Sequence, residues 1–417
     1  MGFIGDAMRV LYIHQYFVSR KGHSSTRSYE FARYLASKGH EVIMLTSGVG
    51  SVEFGSTQGS YVNEYAIDGI KVISLNAGYN DPRHGTTIGG LKRLWYFYQF
   101  AWVATVVSRR LKQPDVIFAT QPPLMIGIAA DAISRHFRRP FVFEVRDLWP
   151  EALVNIGALR NPVLIWWLRR MAKRIYRRAE HIVALSPGIR TGVGQYGIDR
   201  QKISMIPNAS DLDLFYPRYS SGAFRKKLRL EGKFVAIYFG AMGLANGLEY
   251  VIEAAKSLSA RKRDDVVVIL HGDGGAKRDL ESMVDKLELR NVLFSSLLPE
   301  KEAVAEIVAE CDACLTIYRA SVEESWSPNK LFDALAAGKP IVINVAGWLG
   351  RLVEEAGCGF STRAEYPCDL ADALEKLADS PELRDRMGMR ARALAEERFD
   401  RQVLAGELER VLAAAVR

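Results

Sequence analysis

Short apolar runs separated by stretches of helical period recur along this chain, and that alternation confines it to one fold class. Runs at 8–13, 41–46, 116–119, 141–144 and 181–185 read as strands, with helices between them such as the one expected over 26–38 and closed by Gly39. The pattern breaks at Ile206-Pro207-Asn208, crosses an irregular linker over 211–221, and restarts with runs at 234–239, 265–270, 291–295, 314–318 and 340–345. Strands alternating with helices build parallel sheets covered on both faces. The expectation is therefore an α/β chain of two doubly wound, Rossmann-like domains, 1–207 and 208–417, with the last helix free to pack back on the first domain. In such sheets ligands sit beyond the carboxyl ends of the strands, here expected in a cleft between the domains.

The most chemically specific stretch is Ser327-Pro328-Asn329-Lys330-Leu331-Phe332-Asp333, which runs on to Gly338-Lys339-Pro340. Pro328 is expected to open a helix, since a missing N–H costs nothing in the first turn, and Gly338 to close it. The first turn, with Pro328, Asn329 and Leu331, then offers free N–H groups beside the Lys330 ammonium, a seat for phosphate or pyrophosphate. Asp333, three residues on and on nearly the same face, is placed to accept ribose hydroxyls. A cationic seat followed by a carboxylate suits a nucleotide diphosphate; a capped surface helix with an incidental Lys is the plainer reading.

Other loops fall at strand ends. His14-Gln15-Tyr16-Phe17 follows the first run, then Gly22, His23 and Ser24 precede a helix, where they approach a phosphate or simply cap it. The turn His271-Gly272-Asp273-Gly274-Gly275 matches neither the dinucleotide fingerprint nor a P-loop. Arg146 and Asp147 sit beside Trp149 after another strand, either as chemistry or as an ion pair at a turn.

Four cysteines are sparse and fit a reducing compartment. Cys311 and Cys314 have CxxC spacing, but they lead straight into an apolar run and no second pair matches, so they read as buried strand cysteines and not a zinc site. The N-terminus shows no apolar signal-peptide core. The formal charge of +8 is unevenly spread. From Arg135 to Arg178 the chain is dense in Arg and Lys, opposed only by Glu144, Asp147 and Glu151. Such a cluster attracts anionic lipid, nucleic acid or a diphosphate substrate. The segment 162–179 has helical period, with Leu164, Trp167, Leu168, Met171 and Ile175 in one stripe. Arg169, Arg170, Lys173 and Arg177 lie opposite, and Trp166 projects from that basic side. This suits a helix at an anionic membrane interface, against the alternative of a core helix with a solvated basic face. The uncharged segment 94–108 is shorter than the roughly 20 residues a span needs, so a buried helix with an aromatic edge is expected. Nucleic acid is set aside, because the basic residues are not interleaved with a recognisable nucleic-acid module.

Six ordered blocks resemble one family: HQYF…STRSYEFARYLASKGHEV at 14–42, EVRDLWPE at 144–151, ALSPGI at 184–189, IPNASDLDLF at 206–215, GLANGLEYVIEAA at 243–255 and SPNKLFDALAAGKPIV at 327–342. The chain resembles the family 4 glycosyltransferases of GT-B fold, particularly bacterial transferases that add amino-deoxy sugars of the L-FucNAc type to O-antigen or capsule precursors. The resemblance implies retaining, metal-independent transfer of an N-acetylated deoxyhexosamine from a UDP-sugar to a polyprenyl-diphosphate-linked glycan, without a cofactor. It implies a nucleotide site in the C-terminal domain, an acceptor site in the N-terminal one, and a place on the cytoplasmic face of the membrane. The family's Glu-x7-Glu appears with Asp333 at the second position and Ser325 at the first, with Glu324 one residue off. The usual cations after the first C-terminal strand are missing from the Gly240-to-Gly247 turn, which offers Gly240, Gly243 and Asn246. Lys330 and the helix N-terminus are then left with the diphosphate charge. The usual His-Asp pair appears as Arg146-Asp147, so Arg146, Asp147 and Lys330 are the expected catalytic groups, with Gly272 and Gly274 near the donor. A transferase with a small soluble acceptor and a non-catalytic sugar-nucleotide binder are the alternatives.

Overall fold

The computed structural model describes residues 7–22, 25–48, 53–55, 61–77, 90–155, 157–218, 221–296, 298, 300–319 and 326–417. The chain divides into two units, Met1–Pro207 with Gln402–Arg417, and Asn208–Arg401.

The first unit is built on β1 (Arg9–Ile13), β2 (Glu41–Ser47), β3 (Val62–Ile67), β4 (Ile70–Leu75), β5 (Val116–Thr120), β6 (Phe141–Val145), β7 (His181–Ala184) and β8 (Ile203–Met205). They form one sheet in the order β3-β4-β2-β1-β5-β6-β7-β8, parallel except for the β3–β4 pair. The second unit carries β9 (Phe234–Phe239), β10 (Val266–His271), β11 (Val292–Ser295), β12 (Ala313–Thr316), β13 (Ile341–Ile343) and β14 (Gly359–Ser361), in the order β11-β10-β9-β12-β13-β14. Every neighbour in this second sheet is parallel. The central strands are buried on both faces, as in Val-Ile-Phe-Ala-Thr of β5 and Phe-Val-Ala-Ile-Tyr-Phe of β9, because helices cover each side. The strand order reverses between β1 and β5 in one unit and between β9 and β12 in the other, and loops at those carboxyl ends are where ligands bind in such sheets.

The strands read from the sequence are present to within a residue or two at most boundaries, and β3, β4, β8 and β14 are additions. β3 and β4 form a hairpin over Asp68-Gly69, both with positive φ (47° and 79°), the two-residue turn that Asp-Gly favours. Pro328 does not open its helix but stands one residue ahead, extended at φ −71° and ψ 131°, with the helix running Asn329–Ala336. The segment from 211 is irregular, yet it is no solvated linker: Asp211 and Phe215 are buried in the second unit. Of the CxxC pair only Cys314 lies in a strand, while Cys311 is buried just before it, and both are free thiols.

The helix Gly90–Ser108 buries Phe97, Phe100, Ala101 and Ala104 and leaves Trp95 and Trp102 exposed. In the helix Pro162–Arg178 the buried stripe is Leu168, Ala172, Ile175 and Tyr176, not the one expected: Trp167 is exposed, and Leu164 and Met171 pack at the edge. Asn161 caps that helix by accepting from the N–H groups of Val163 and Leu164. No helix of the described residues is long and apolar enough to cross a membrane.

Arg27, at the start of the helix Arg27–Ser37, is fully buried beside Glu144 at the end of β6. Its guanidinium donates to Glu144 Oε1 at 2.9 Å and to the carbonyl of Ile206 at 2.7 Å, and Thr120 Oγ1 donates to Glu144 Oε2 at 2.9 Å. One side chain thus ties helix, sheet and the end of β8's loop together. Removing one partner of a buried pair strands the other charge, so Arg27→Met should lower unfolding stability by about 3–5 kcal/mol in urea titrations. A loss near the ~1 kcal/mol of a surface pair would show that Glu144 is not dependent on Arg27.

Candidate functional site

The candidate site is built at the order reversal of the second sheet. Lys330, in the first turn of the helix Asn329–Ala336, sends its ammonium to 3.7 Å from the Tyr238 ring centroid at the end of β9 and 5.4 Å from that of Tyr318 after β12. Among the described residues it has no carboxylate partner. Burial pulls its pKa down to about 7, since two aromatic faces replace only part of the water an ammonium loses. Pro328 supplies no side-chain cap and Ser327 Oγ just before it is buried; the Leu331 N–H bonds the Pro328 carbonyl at 3.3 Å, which leaves the N–H groups of Asn329 and Lys330 without a partner among the described residues.

Two glycine turns floor this seat. Gly240 has φ +131°, and a Cβ there would stand 3.2 Å from Lys330 Nζ. Gly272 has φ +145°, and its Cβ would meet the Gly240 carbonyl oxygen at 1.9 Å; that of Gly274 would meet the Met242 oxygen at 2.5 Å. Backbone packed this closely admits only glycine, so Gly272 and Gly274 are required by the floor itself. Gly243 and Asn246 form a neighbouring turn in which the Asn246 carboxamide oxygen accepts from the Gly243 N–H at 3.0 Å. Sequence reading missed Lys277, which follows the second glycine turn and donates to the Gly272 carbonyl at 3.3 Å. Two ammonium groups therefore flank the stacked glycines, and Lys277 supplies a cation that the turn after β9 lacks. Its presence in Gly-Gly-Ala-Lys, just after a strand-end turn, was the available signal. His271 is held neutral by burial and by Lys277, bonding Ser295 through Nδ1 at 3.1 Å and leaving Nε2 buried and unpartnered.

Asp333 and Lys330 share the helix but not an environment. Asp333 is buried and its Oδ1 accepts from Lys301 at 3.2 Å, while Lys301 also binds Asp211, and Asp211 binds Arg401. Burial raises Asp333, with the Asp211 charge adding and Lys301 opposing. Burial likewise opposes the charge on Asp211, but Lys301 and Arg401 outweigh it and hold that carboxyl low. Leu331 is buried in the core beneath the helix.

The other predicted residues lie in the first unit. Arg146 and Asp147 follow β6, both half-buried; burial raises the Asp147 carboxyl and Arg146 opposes that. His14, after β1, is driven well below its ordinary pKa by burial and then by Arg146. Next to it Gln15 is fully buried, and neither of its amide atoms nor Oε1 of Gln121 after β5 has a partner among the described residues. These polar groups and Arg146 follow β1, β5 and β6, at the order reversal of the first sheet. Gly22 closes a turn on Ser19, and a Cβ there would stand 2.6 Å from Val18 Cβ, so packing also requires it. His23, Ser24, Glu324 and Ser325 lie outside the described residues. Trp166, Arg169, Arg170, Lys173 and Arg177 are all exposed on the helix Pro162–Arg178, with Arg169 bonded to Glu151 at 3.1 Å.

Comparison with known proteins bears on the fold and the family. Residues 24–209 match the glycosyl transferase 4-like domain and 221–394 match glycosyl transferases group 1. The chain is 24% identical over 334 residues to the putative colanic acid biosynthesis glycosyl transferase WcaI of Escherichia coli (strain K12), covering 78% of this chain and 81% of that protein. It is 22% identical over 294 residues to the probable glycosyltransferase WbjE of Pseudomonas aeruginosa, covering 70% and 72%. The structure of Anabaena HepE in complex with UDP-glucose superposes with a TM-score of 0.71 at 19% identity, covering 98% of this chain and all of that one.

Lys330 attracts an anion only when protonated, so its contribution is complete below its pKa of about 7 and fades as pH rises. Nucleoside diphosphate should bind wild type about tenfold or more tighter than Lys330→Met near pH 6, the size of a charge-assisted contact. That ratio should shrink toward one as pH rises, when followed by titration calorimetry. A ratio independent of pH would separate Lys330 from the anion.

Proposed function

We infer from membership of the GT-B glycosyltransferases, to which this chain belongs by its paired 4-like and group 1 domains, that it builds a lipid-linked surface glycan. The reaction proposed is retaining transfer of a sugar, an N-acetylated deoxyhexosamine, from a UDP-sugar to a polyprenyl-diphosphate-linked acceptor at the cytoplasmic membrane face. The observation that carries the reading is the cationic seat of Lys330, the open helix N-terminus and Lys277 at the end of β9, β10 and β12. HepE, similar in fold, was crystallised with UDP-glucose, and the name of WcaI places that protein in colanic acid synthesis; both support a nucleotide-sugar donor and a polysaccharide product.

In this reading the group that departs is a diphosphate, and negative charge grows on it as the anomeric C–O bond breaks. Preorganised cations and N–H donors stabilise that charge most, because they need no reorganisation in a site emptied of water. Lys330 is the central group: the arriving diphosphate restores its proton, and the ammonium then faces the departing oxygen. Arg146, among neutral His14, Gln15 and Gln121, is assigned to a phosphate or to sugar hydroxyls. The acceptor hydroxyl attacks from the same face that the diphosphate leaves, and its proton passes to the leaving phosphate. Such a step demands positioning more than a protein base.

The diphosphate charge is assigned in this reading to Lys330, Lys277 and the helix N–H groups. Turnover should therefore survive excess EDTA; activity lost there and restored by Mg²⁺ or Mn²⁺ would reverse the assignment. On the helix Pro162–Arg178, each basic residue near an anionic surface contributes about 1 kcal/mol, screened beyond ~8 Å at physiological salt. Replacing Arg169, Arg170, Lys173 and Arg177 with Gln should release the protein from anionic vesicles and slow transfer to a lipid-linked acceptor. Transfer to a short water-soluble acceptor should fall much less. Undiminished sedimentation of the quadruple variant with vesicles would rule this helix out as the anchor.

A further inference from the structure

The helices Gly90–Ser108, Ile126–Phe137 and Pro162–Arg178 enclose a groove of about 830 Å³ whose lining shares no residue with the proposed donor seat. That volume lies within the range of sites that take a small molecule. Its floor is apolar: Ile128, Met171 and Ile175 line it, with Tyr98 and Trp167 packed at 6.0 Å between ring centroids. Its rim is cationic, formed by Arg135, Arg170, Lys173, Arg174, Arg177 and Arg178. One carboxylate answers them: Asp131 accepts from Arg178 at 3.0 Å and pairs with Arg135 at 3.2 Å. Among the described residues Arg170, Lys173, Arg174 and Arg177 have no acidic partner, and Arg170 rests over the Trp166 ring.

Beside the groove the surface is unusually apolar. Trp166 is 61% exposed and Val163 72%, and Trp95 and Trp102, one turn to either side of Tyr98, are 65% and 68% exposed. Indole rings of this kind settle at the headgroup level of a bilayer, one end apolar and the other hydrated. An apolar trough fringed with unanswered cations complements a molecule with a long hydrocarbon chain and a phosphate at one end. We propose that this groove binds one molecule of an anionic phospholipid, its acyl chain along Ile128, Met171 and Ile175 and its phosphate among the rim cations. This rests on the membrane reading above for the source of the lipid, but it differs in kind. A diffuse basic surface adsorbs to any anionic vesicle, whereas a groove binds stoichiometrically and saturates.

The test uses the full chain and dihexanoyl phosphatidylglycerol below its critical micelle concentration, followed by titration calorimetry and native mass spectrometry. Wild type should saturate with one lipid per chain, and the phosphatidylcholine analogue should bind at least about tenfold more weakly. Met171→Trp fills the floor without altering charge and should weaken lipid binding about tenfold or more, while adsorption to anionic vesicles and transfer to a water-soluble acceptor persist. Ile128→Phe, on a different helix, should act in the same direction, and melting curves of both variants matching wild type exclude misfolding. Unsaturable binding, inorganic phosphate binding as tightly as the lipid, or undiminished binding in both folded variants would overturn the groove. None of those outcomes bears on whether the chain transfers sugar, which the soluble acceptor reports separately.

Discussion

The second unit depends on a buried group of four charges. Asp211 and Asp333 face Lys301 and Arg401, and all four side chains are largely removed from solvent. They come from four separate places: the segment after Asn208, the helix Asn329–Ala336, the helix Lys301–Ala309 and the end of the unit at Arg401. Neutral hydrogen bonds complete the join, with Ser210 Oγ donating to the Phe332 carbonyl at 2.7 Å and Asn208 to that of Ser327. Buried pairs of this kind add little net stability over apolar packing, but they punish any rearrangement that separates them. Their effect here is orientation. With Asp333 committed to Lys301, the rotation of its helix is set, and Lys330 three residues earlier must point at Gly240 and Tyr238.

That orientation explains why the ammonium tolerates so poor a resting environment. Two phenol rings offer it attraction, yet burial brings its pKa to about 7, so the empty seat is charged in only part of the population at neutral pH. In the proposed reaction an arriving diphosphate would favour the charged form and take up a proton with it. Interactions that strengthen as charge develops on the ligand are those that favour a transition state over a ground state. The same logic separates Asp333 from the seat. A carboxylate facing the diphosphate would oppose it, and Lys301 draws it away.

Much of this was legible in the sequence, and the misses share a cause. Strands buried on both faces announce themselves as unbroken apolar runs, which is why β5, β9 and β10 were readable. The hairpin of β3 and β4 lies at a sheet edge, where the burial of β3 alternates and no long apolar run forms, although Asp68-Gly69 marked the turn. β8 and β14 are three residues each, too short for periodicity to register. In the helix Pro162–Arg178 the stripe was misplaced by roughly one position, because Trp167 was counted as core where Ala172 and Tyr176 are. Trp167 instead lines a groove. The glycines after β9 and β10 were legible as a site but not for the right reason. Their first duty is to let Gly240 and Gly272 stack, and the cation beside them is Lys277, which closes the run Gly-Gly-Ala-Lys.

Net charge alone conceals how differently the two units use arginine. In the second unit several exposed arginines are answered: Arg261 by Asp372 at 2.7 Å, Arg263 by Asp265 and Asp379 at 2.8 Å each, and Arg363 by Asp369 at 2.7 Å. Paired in this way they project little field beyond a Debye length of roughly 8 Å. In the first unit Arg170, Lys173, Arg174 and Arg177 stand on one helix with like charges at i, i+3 and i, i+4, an arrangement that costs a few tenths of a kcal/mol per pair in an isolated helix. Among the described residues no carboxylate offsets this repulsion, and the same surface exposes Trp95, Trp102 and Trp166. Repulsion and exposed indole both oppose the isolated protein, and both would be relieved by the partner proposed above, a phosphate with hydrocarbon behind it. The local composition is therefore that of a contact surface, and the four-charge core of the second unit is its counterexample: there every buried charge already has its answer within the chain.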